Sequence, residues 1–92
     1  MGVSYVFINV KRNEQNEKPV LGFGGLVDTA ADSTFVRHQM IHIFHGVIKS
    51  NGWSLSDKIK AEPNKPGRPI VEYHDGTLHF LNPDESSENE SV

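Results

Sequence analysis

Three histidines on one predicted helix are the residues of this sequence best spaced to do chemistry. His38, His42 and His45 recur at i, i+4 and i+7, so on an α-helix they point into one narrow sector. Such a set can chelate Zn²⁺ or Ni²⁺ through two or three ring nitrogens. A zinc-protease motif would place Glu directly after the first histidine, but this chain has Gln39 there. The histidines therefore indicate a solvent-facing or partner-facing surface, with a metal site as the weaker alternative.

No other motif supplies catalytic groups. Gly22, Gly24 and Gly25 match neither the dinucleotide fingerprint nor the P-loop, whose remaining residues are missing. The chain has no cysteine, which excludes disulfides, thiolate zinc ligands and cysteine nucleophiles. No Ser/His/Asp order or carboxylate pair stands out. We therefore expect a protein that is not an enzyme and that needs no cofactor.

Basic side chains are concentrated around one predicted strand and the proline-rich segment after it. This basic strip consists of Lys58, Lys60, Lys65 and Arg68. Such a strip can contact phosphates without sequence preference, although many charge runs are simply solvated. Residues 1–81 carry nine basic and eight acidic side chains, whereas autonomous nucleic-acid binders are strongly basic. We expect the strip, together with Arg37, to bind a protein or ribonucleoprotein complex, with nucleic-acid contact secondary.

The first half of the chain predicts two strands and a helix. Residues 3–12 are apolar on both faces, which predicts a central strand. Residues 20–27 predict a second strand, in which three glycines indicate a bulge or a close approach by another backbone. Thr29 and Asp32 form an imperfect capping box, so a helix is predicted from Ala30. Its apolar stripe is Val36, Met40, Ile43, Phe44 and Val47, and its basic last turn and stop are Lys49, Ser50, Asn51 and Gly52.

The second half predicts a strand, a loop and a hairpin. Residues 53–60 alternate as a strand with one dry face, interrupted by Asp57. Residues 61–69 contain three prolines and a glycine, which predicts a stiff, exposed loop. Asp75 and Gly76 suit a two-residue type I′ turn between two short strands. The turn predicts the core pairs Val71 with Phe80 and Tyr73 with Leu78, and the outer pairs Glu72 with His79 and His74 with Thr77.

These elements predict an α+β fold of order β-β-α-β-β-β. In this fold an antiparallel sheet of about five strands carries one amphipathic helix packed on it. Residues 1–81 are expected to form a single domain, and residues 82–92 a disordered acidic tail. No apolar run approaches the ~20 residues of a membrane span, and no signal-peptide layout is visible, so a cytoplasmic protein with no membrane partner is expected.

In overall character the chain resembles small phage-encoded inhibitor proteins, particularly those of the anti-CRISPR type. The resemblance covers the whole chain: 92 residues without cysteine, one predicted sheet, one predicted helix over 29–51, a charged tail and no catalytic set. It assigns no role to any single residue. It implies a stoichiometric inhibitor that docks on an RNA-guided, Cascade-type surveillance complex, contacts Cas proteins or guide RNA, and blocks target DNA binding in the host cytoplasm.

Two other functions fit the same residues. A small DNA-binding or toxin–antitoxin type regulator could use the sheet or the helix face. A small histidine-rich metal-binding protein would instead use His38, His42 and His45. Salt-sensitive binding to duplex DNA distinguishes the first, and a stoichiometric metal signal distinguishes the second.

Overall fold

Alternating apolar residues build a sheet with one buried face, and two helices cover that face. In the computed structural model, which describes residues 3–16, 20, 22–29 and 33–81, the sheet order is β2-β1-β3-β4-β5 and every neighbouring pair is antiparallel. The fold is therefore α+β, as predicted, with a second helix that the sequence analysis did not anticipate. The strands are β1 (Tyr5–Asn9), β2 (Glu14–Gln15), β3 (Ile59–Pro63), β4 (Ile70–His74) and β5 (Thr77–Leu81), and the helices are α1 (Phe23–Thr29) and α2 (Thr34–Ser50).

The β4–β5 hairpin has the predicted turn and register. Asp75 and Gly76 both adopt positive φ, at 52° and 79°, as a type I′ turn requires. All four predicted cross-strand pairs are present. Val71, Tyr73 and Leu78 are buried beneath the helices, and Phe80 is partly buried against the same core. Local turn chemistry thus determines which face of the hairpin enters the core.

The strand predicted over 20–27 is wrong, because that segment forms α1. Val20 makes a single bridge to Tyr5, and the chain then turns at Gly22, whose φ is +88°. Helix α1 begins at once and places Phe23 fully inside the core. The second strand is instead the short β2, which lies between the two segments predicted as strands. Burial of one aromatic ring outweighs the weak strand propensity of a glycine-rich segment.

Gly24 confirms the expected close approach by another backbone, although within a helix. A Cβ added at this position would lie 2.9 Å from the carbonyl oxygen of Val3. Only glycine therefore lets α1 lie this close to the chain that enters β1. Gly25, the next residue of the same helix, has open space around it.

Helix α2 begins later than predicted. Its N-cap is Ser33, whose Oγ accepts a hydrogen bond of 3.0 Å from the backbone N–H of Val36. Thr29, the predicted cap, is the last residue of α1 and donates its hydroxyl to the carbonyl of Leu26. The predicted first residue, Ala30, lies outside the described residues.

The apolar stripe and the end of α2 are close to the prediction. Asn51 is the C-cap and Gly52 follows with φ of +72°, as expected for a glycine stop. The side chains of α2 that are buried against the sheet are Met40, Phe44, Val47 and Ile48. Val36 and Ile43 are partly buried at the margin of the same core. The helix thus lies across the sheet on the side that the periodicity indicates.

The strand predicted over 53–60 begins only at Ile59, and it continues to Pro63 into the segment predicted as loop. The reason is Asp57, which is 4% exposed and turns the preceding backbone by accepting a hydrogen bond from the N–H of Ser54. Leu55, predicted on the dry face, is 55% exposed as a result. The predicted acidic tail, residues 82–92, lies outside the described residues.

The two glycines of α1 provide a test of this packing. Gly24→Ala is expected to lower the free energy of unfolding by about 1–3 kcal/mol, since its Cβ would overlap Val3. Gly25→Ala, its matched control, is expected to raise stability by about 0.5–1 kcal/mol because alanine favours helix. Urea denaturation of both variants measures the difference. Equal effects would mean that α1 does not approach Val3.

Candidate partner-binding surfaces

The predicted basic strip is not one continuous surface in the structure. Lys60 lies on the outer face of the sheet, opposite the helices, because its neighbours Ile59 and Ala61 face the core. Its Nζ is 3.7 Å from Oε2 of Glu62 on the same face. Across the sheet it is paired with Glu72 of β4. Lys60 therefore sits among carboxylates, which reduces the local positive potential.

Arg68 is held on the fold by an ion pair with Asp28 of α1. Its Nη1 donates a hydrogen bond to Oδ1 of Asp28. This hydrogen bond and the charge of Asp28 raise the pKa of Arg68 above its ordinary value. Nearby, the hydroxyl of Tyr5 donates to the carbonyl of Pro69 at 2.8 Å, and burial raises the pKa of Tyr5. These contacts attach the loop after β3 to α1 and β1.

The other three predicted cations lie apart from one another. The guanidinium carbon of Arg37 is 4.8 Å from the ring centroid of Phe80, a cation–π contact across α2 and β5. Lys58 precedes β3 and Lys65 lies in the loop after it, both exposed. Neither forms an ion pair with any residue that the structure describes. Three of the five candidate cations thus have a partner within the fold.

The three helix histidines do not form one set. His38 and His42 are exposed on α2, whereas His45 is partly buried with its Nε2 2.7 Å from the hydroxyl of Tyr73. The ring of His45 also meets that of Tyr73 edge to face, with centroids 5.4 Å apart. Among the described residues no group of three or more His, Cys, Asp or Glu is arranged to hold a metal ion. The three-nitrogen arrangement considered from the sequence is therefore not present in this part of the chain.

The two hairpin histidines lie on the sheet face away from the helices. The register pairs His74 with Thr77 and His79 with Glu72 on that outer face. Nε2 of His74 is 3.8 Å from Oδ2 of Asp75. Both histidines therefore lie on the opposite side of the sheet from α2.

The first exposed apolar surface is a groove of about 350 Å³ between α1 and α2, which we call the α2 groove. Phe35 projects from it and is 69% exposed. The groove is lined by Leu26, Phe35, His38, Gln39, His42 and Ile43. Among the described residues that line it there is no Asp, Glu, Lys or Arg. Sequence analysis missed Phe35, although a phenylalanine on the polar side of an amphipathic helix is a recognisable signal.

The second exposed surface, the Trp53 pocket, is a depression of about 330 Å³ beyond the C-terminal half of α2. It is lined by His45, Ile48, Lys49, Trp53 and Leu55. The Nε1 of Trp53 donates to Oε1 of Glu14 at 2.8 Å, so the indole is fixed and mostly buried. Leu55, at 55% exposure, forms the open wall.

Asp57 holds the loop that presents Leu55. Its Oδ2 accepts hydrogen bonds from Nδ2 of Asn9 at 2.9 Å and from the backbone N–H of Ser54 at 3.1 Å. The hydrogen bond from Asn9, followed by the one from Ser54, holds the pKa of Asp57 below its ordinary value. Asn9 is itself fully buried and its Oδ1 accepts from the N–H of Arg12. One buried amide thus ties the loop after α2 to the turn after β1.

Comparisons with protein-family models, curated protein sequences and solved structures find no match to this chain. Within the described residues, neither helix has the length and apolar character needed to cross a membrane. The candidate surfaces therefore rest on the geometry of this chain alone.

The depressed pKa of Asp57 makes a testable contribution to stability. A carboxylate whose pKa is lower in the folded state stabilises the fold fully at pH values above its ordinary pKa of 3.8. This stabilisation is lost as the pH falls below 3.8 and through the lower pKa of the folded state. Asp57→Asn is therefore expected to lower the urea midpoint at neutral pH. The difference in urea midpoint between this variant and the wild type should become smaller towards about pH 2.

Asp75→Asn is the matched control, because Asp75 is exposed in a turn where asparagine also accepts positive φ. Its midpoint should stay close to that of the wild type across the same range. A gap for Asp57→Asn that stays constant down to the lowest pH would show that the charge of Asp57 does not contribute.

Proposed function

We propose that this protein is a non-enzymatic inhibitor that binds a protein partner through the α2 groove. The observation that carries the proposal is the exposed ring of Phe35, 69% accessible and flanked by Leu26 and Ile43. Aromatic residues are enriched and charged residues depleted at the centres of protein interfaces. The described lining of the groove, three apolar side chains with two histidines and a glutamine, has this composition.

The electrostatics favour a protein partner over a nucleic acid. Binding to phosphates requires cations that are free to replace counterions. Lys60 lies beside Glu62, Arg68 is paired with Asp28, and Arg37 lies over an aromatic ring. Only Lys58 and Lys65 of the five candidate cations are exposed and unpaired within the described part of the chain. Two separated lysines are too few for strong binding to RNA, but they fit weak contacts with RNA that lies next to a protein partner.

For the partner, we propose a Cas protein of an RNA-guided surveillance complex in the host cytoplasm. The support is the resemblance to anti-CRISPR inhibitors together with a surface suited to occlusion. Binding there would act by stoichiometric coverage, preventing target DNA from entering or pairing with the guide. Lys58 and Lys65 would then lie near guide RNA without dominating the affinity.

Binding of the purified protein to a purified Cascade-type complex, measured by biolayer interferometry, tests the proposal. Phe35→Ala is expected to raise the dissociation constant at least about tenfold, as truncation of an aromatic anchor does. Its thermal stability should be unchanged, because the ring is exposed in the free protein. Target DNA binding by the complex should recover in parallel.

Two variants serve as controls in the same assay. Leu55→Ala removes a comparably exposed apolar side chain from the Trp53 pocket and should leave binding unchanged. The double variant Lys58→Glu with Lys60→Glu should weaken binding by less than Phe35→Ala does. Binding lost in the charge variant but kept in Phe35→Ala would refute the groove, and no binding to any such complex would refute the partner.

A further inference from the structure

The free edge of β5 is a second feature of the fold that the proposed function does not use. Strand β5 pairs with β4 on one side, and no described residue pairs with its other side. At the opposite end of the sheet, β1 is followed by the two-residue β2 and by the bridge at Val20. One edge of the sheet is therefore covered by short, polar pieces of chain, and the other presents a full five-residue strand.

The hairpin register determines which backbone groups of β5 point outward. In a hairpin closed by a two-residue turn, the pair that flanks the turn, His74 and Thr77, is hydrogen-bonded, and hydrogen-bonded pairs then alternate along the ladder. Thr77, His79 and Leu81 consequently direct their N–H and C=O groups to β4. Leu78 and Phe80 direct theirs to the open edge.

Within the described residues, this edge has none of the features by which sheet edges are usually protected. Proteins block free edges with lysine, proline, bulges or very short strands. The five residues of β5, TLHFL, include no proline and no Asp, Glu, Lys or Arg, and their pairing to β4 is continuous. Two copies of this strand could therefore meet without like charges.

We propose that the protein forms a symmetric homodimer in which β5 pairs antiparallel with β5 of a second copy. With His79 on the twofold axis, Leu78 of each copy lies opposite Phe80 of the other. The outward groups of these residues then form four hydrogen bonds, which satisfy every outward N–H and C=O of Leu78 and Phe80. On the inner face Phe80, only partly buried in one copy, gains an apolar neighbour.

We assign the open edge of β5 to a second copy of the chain because the strand is complementary to itself. Antiparallel pairing about His79 places apolar residues opposite apolar residues on the inner face and places the two imidazoles beside each other on the outer face. The interface formed by one short strand is below the standard ~1,600 Å², so a reversible dimer is expected. The α2 groove shares no residue with β5, and the dimer would present two grooves.

Sedimentation equilibrium of the full chain, up to about 1 mM protein at the weak end of specific association, tests the dimer. His79→Lys places two ammonium groups across the twofold axis, where facing Cα atoms are about 4.5 Å apart. Within one copy Lys at this position would face Glu72, a favourable pair, so the fold is expected to be retained. The dimer dissociation constant should rise at least about tenfold.

His38→Lys is the matched control, since His38 is exposed on α2 and lines a groove to which no β5 residue contributes, and it should leave the dimer intact. Amide hydrogen exchange gives an independent readout, because the N–H groups of Leu78 and Phe80 should become protected with increasing concentration. A wild-type chain that stays monomeric throughout this range would overturn the proposal. A dimer insensitive to His79→Lys would overturn it equally, and neither result would affect the groove.

Discussion

A cluster of aromatic rings holds the two helices on the sheet. Phe23 of α1 meets Tyr5 and Phe7 of β1 edge to face, each with centroids 5.1 Å apart, and Phe44 of α2 meets Phe23 at 5.6 Å. Phe44 also stacks on Tyr73 of β4 at 5.4 Å. A seven-residue helix is not stable alone, so α1 exists because Phe23 is buried. The α2 groove depends on the same cluster, since one of its walls belongs to α1.

Polar contacts between distant parts of the chain hold the loops in place. Asn9 and Asp57, 48 residues apart, join the turn after β1 to the loop after α2. Arg68 and Asp28, 40 residues apart, join the loop after β3 to α1. Asn9 and Asp57 are buried and therefore need partners, whereas Arg68 and Asp28 pair at the surface. Each pair also fixes a connection.

In the part of the chain that the structure describes, the helices cover only one face of the sheet. Both helices pack on the inner face, so the outer face carries a mixture of charged, aliphatic and histidine side chains, including Lys60, Glu62 and Glu72. Such a mixed face is suited to solvent. The exposed apolar side chains Phe35 and Leu55 lie on the helix side instead, and the recognition that we propose uses Phe35 and the edge of β5. We propose different occupants for the α2 groove and the β5 edge, and their residues do not overlap.

The sequence by itself determined the elements whose cause is local. Asp75 and Gly76 specify a turn by their positive φ, and the spacing of apolar residues specifies the buried side of α2, because both effects act within a few residues. The tertiary structure decided whether residues 20–27 became helix or strand, which cations stayed free, and that His45 turns to Tyr73. Those outcomes depend on contacts between residues far apart in the chain, and no local pattern encodes the distances between them.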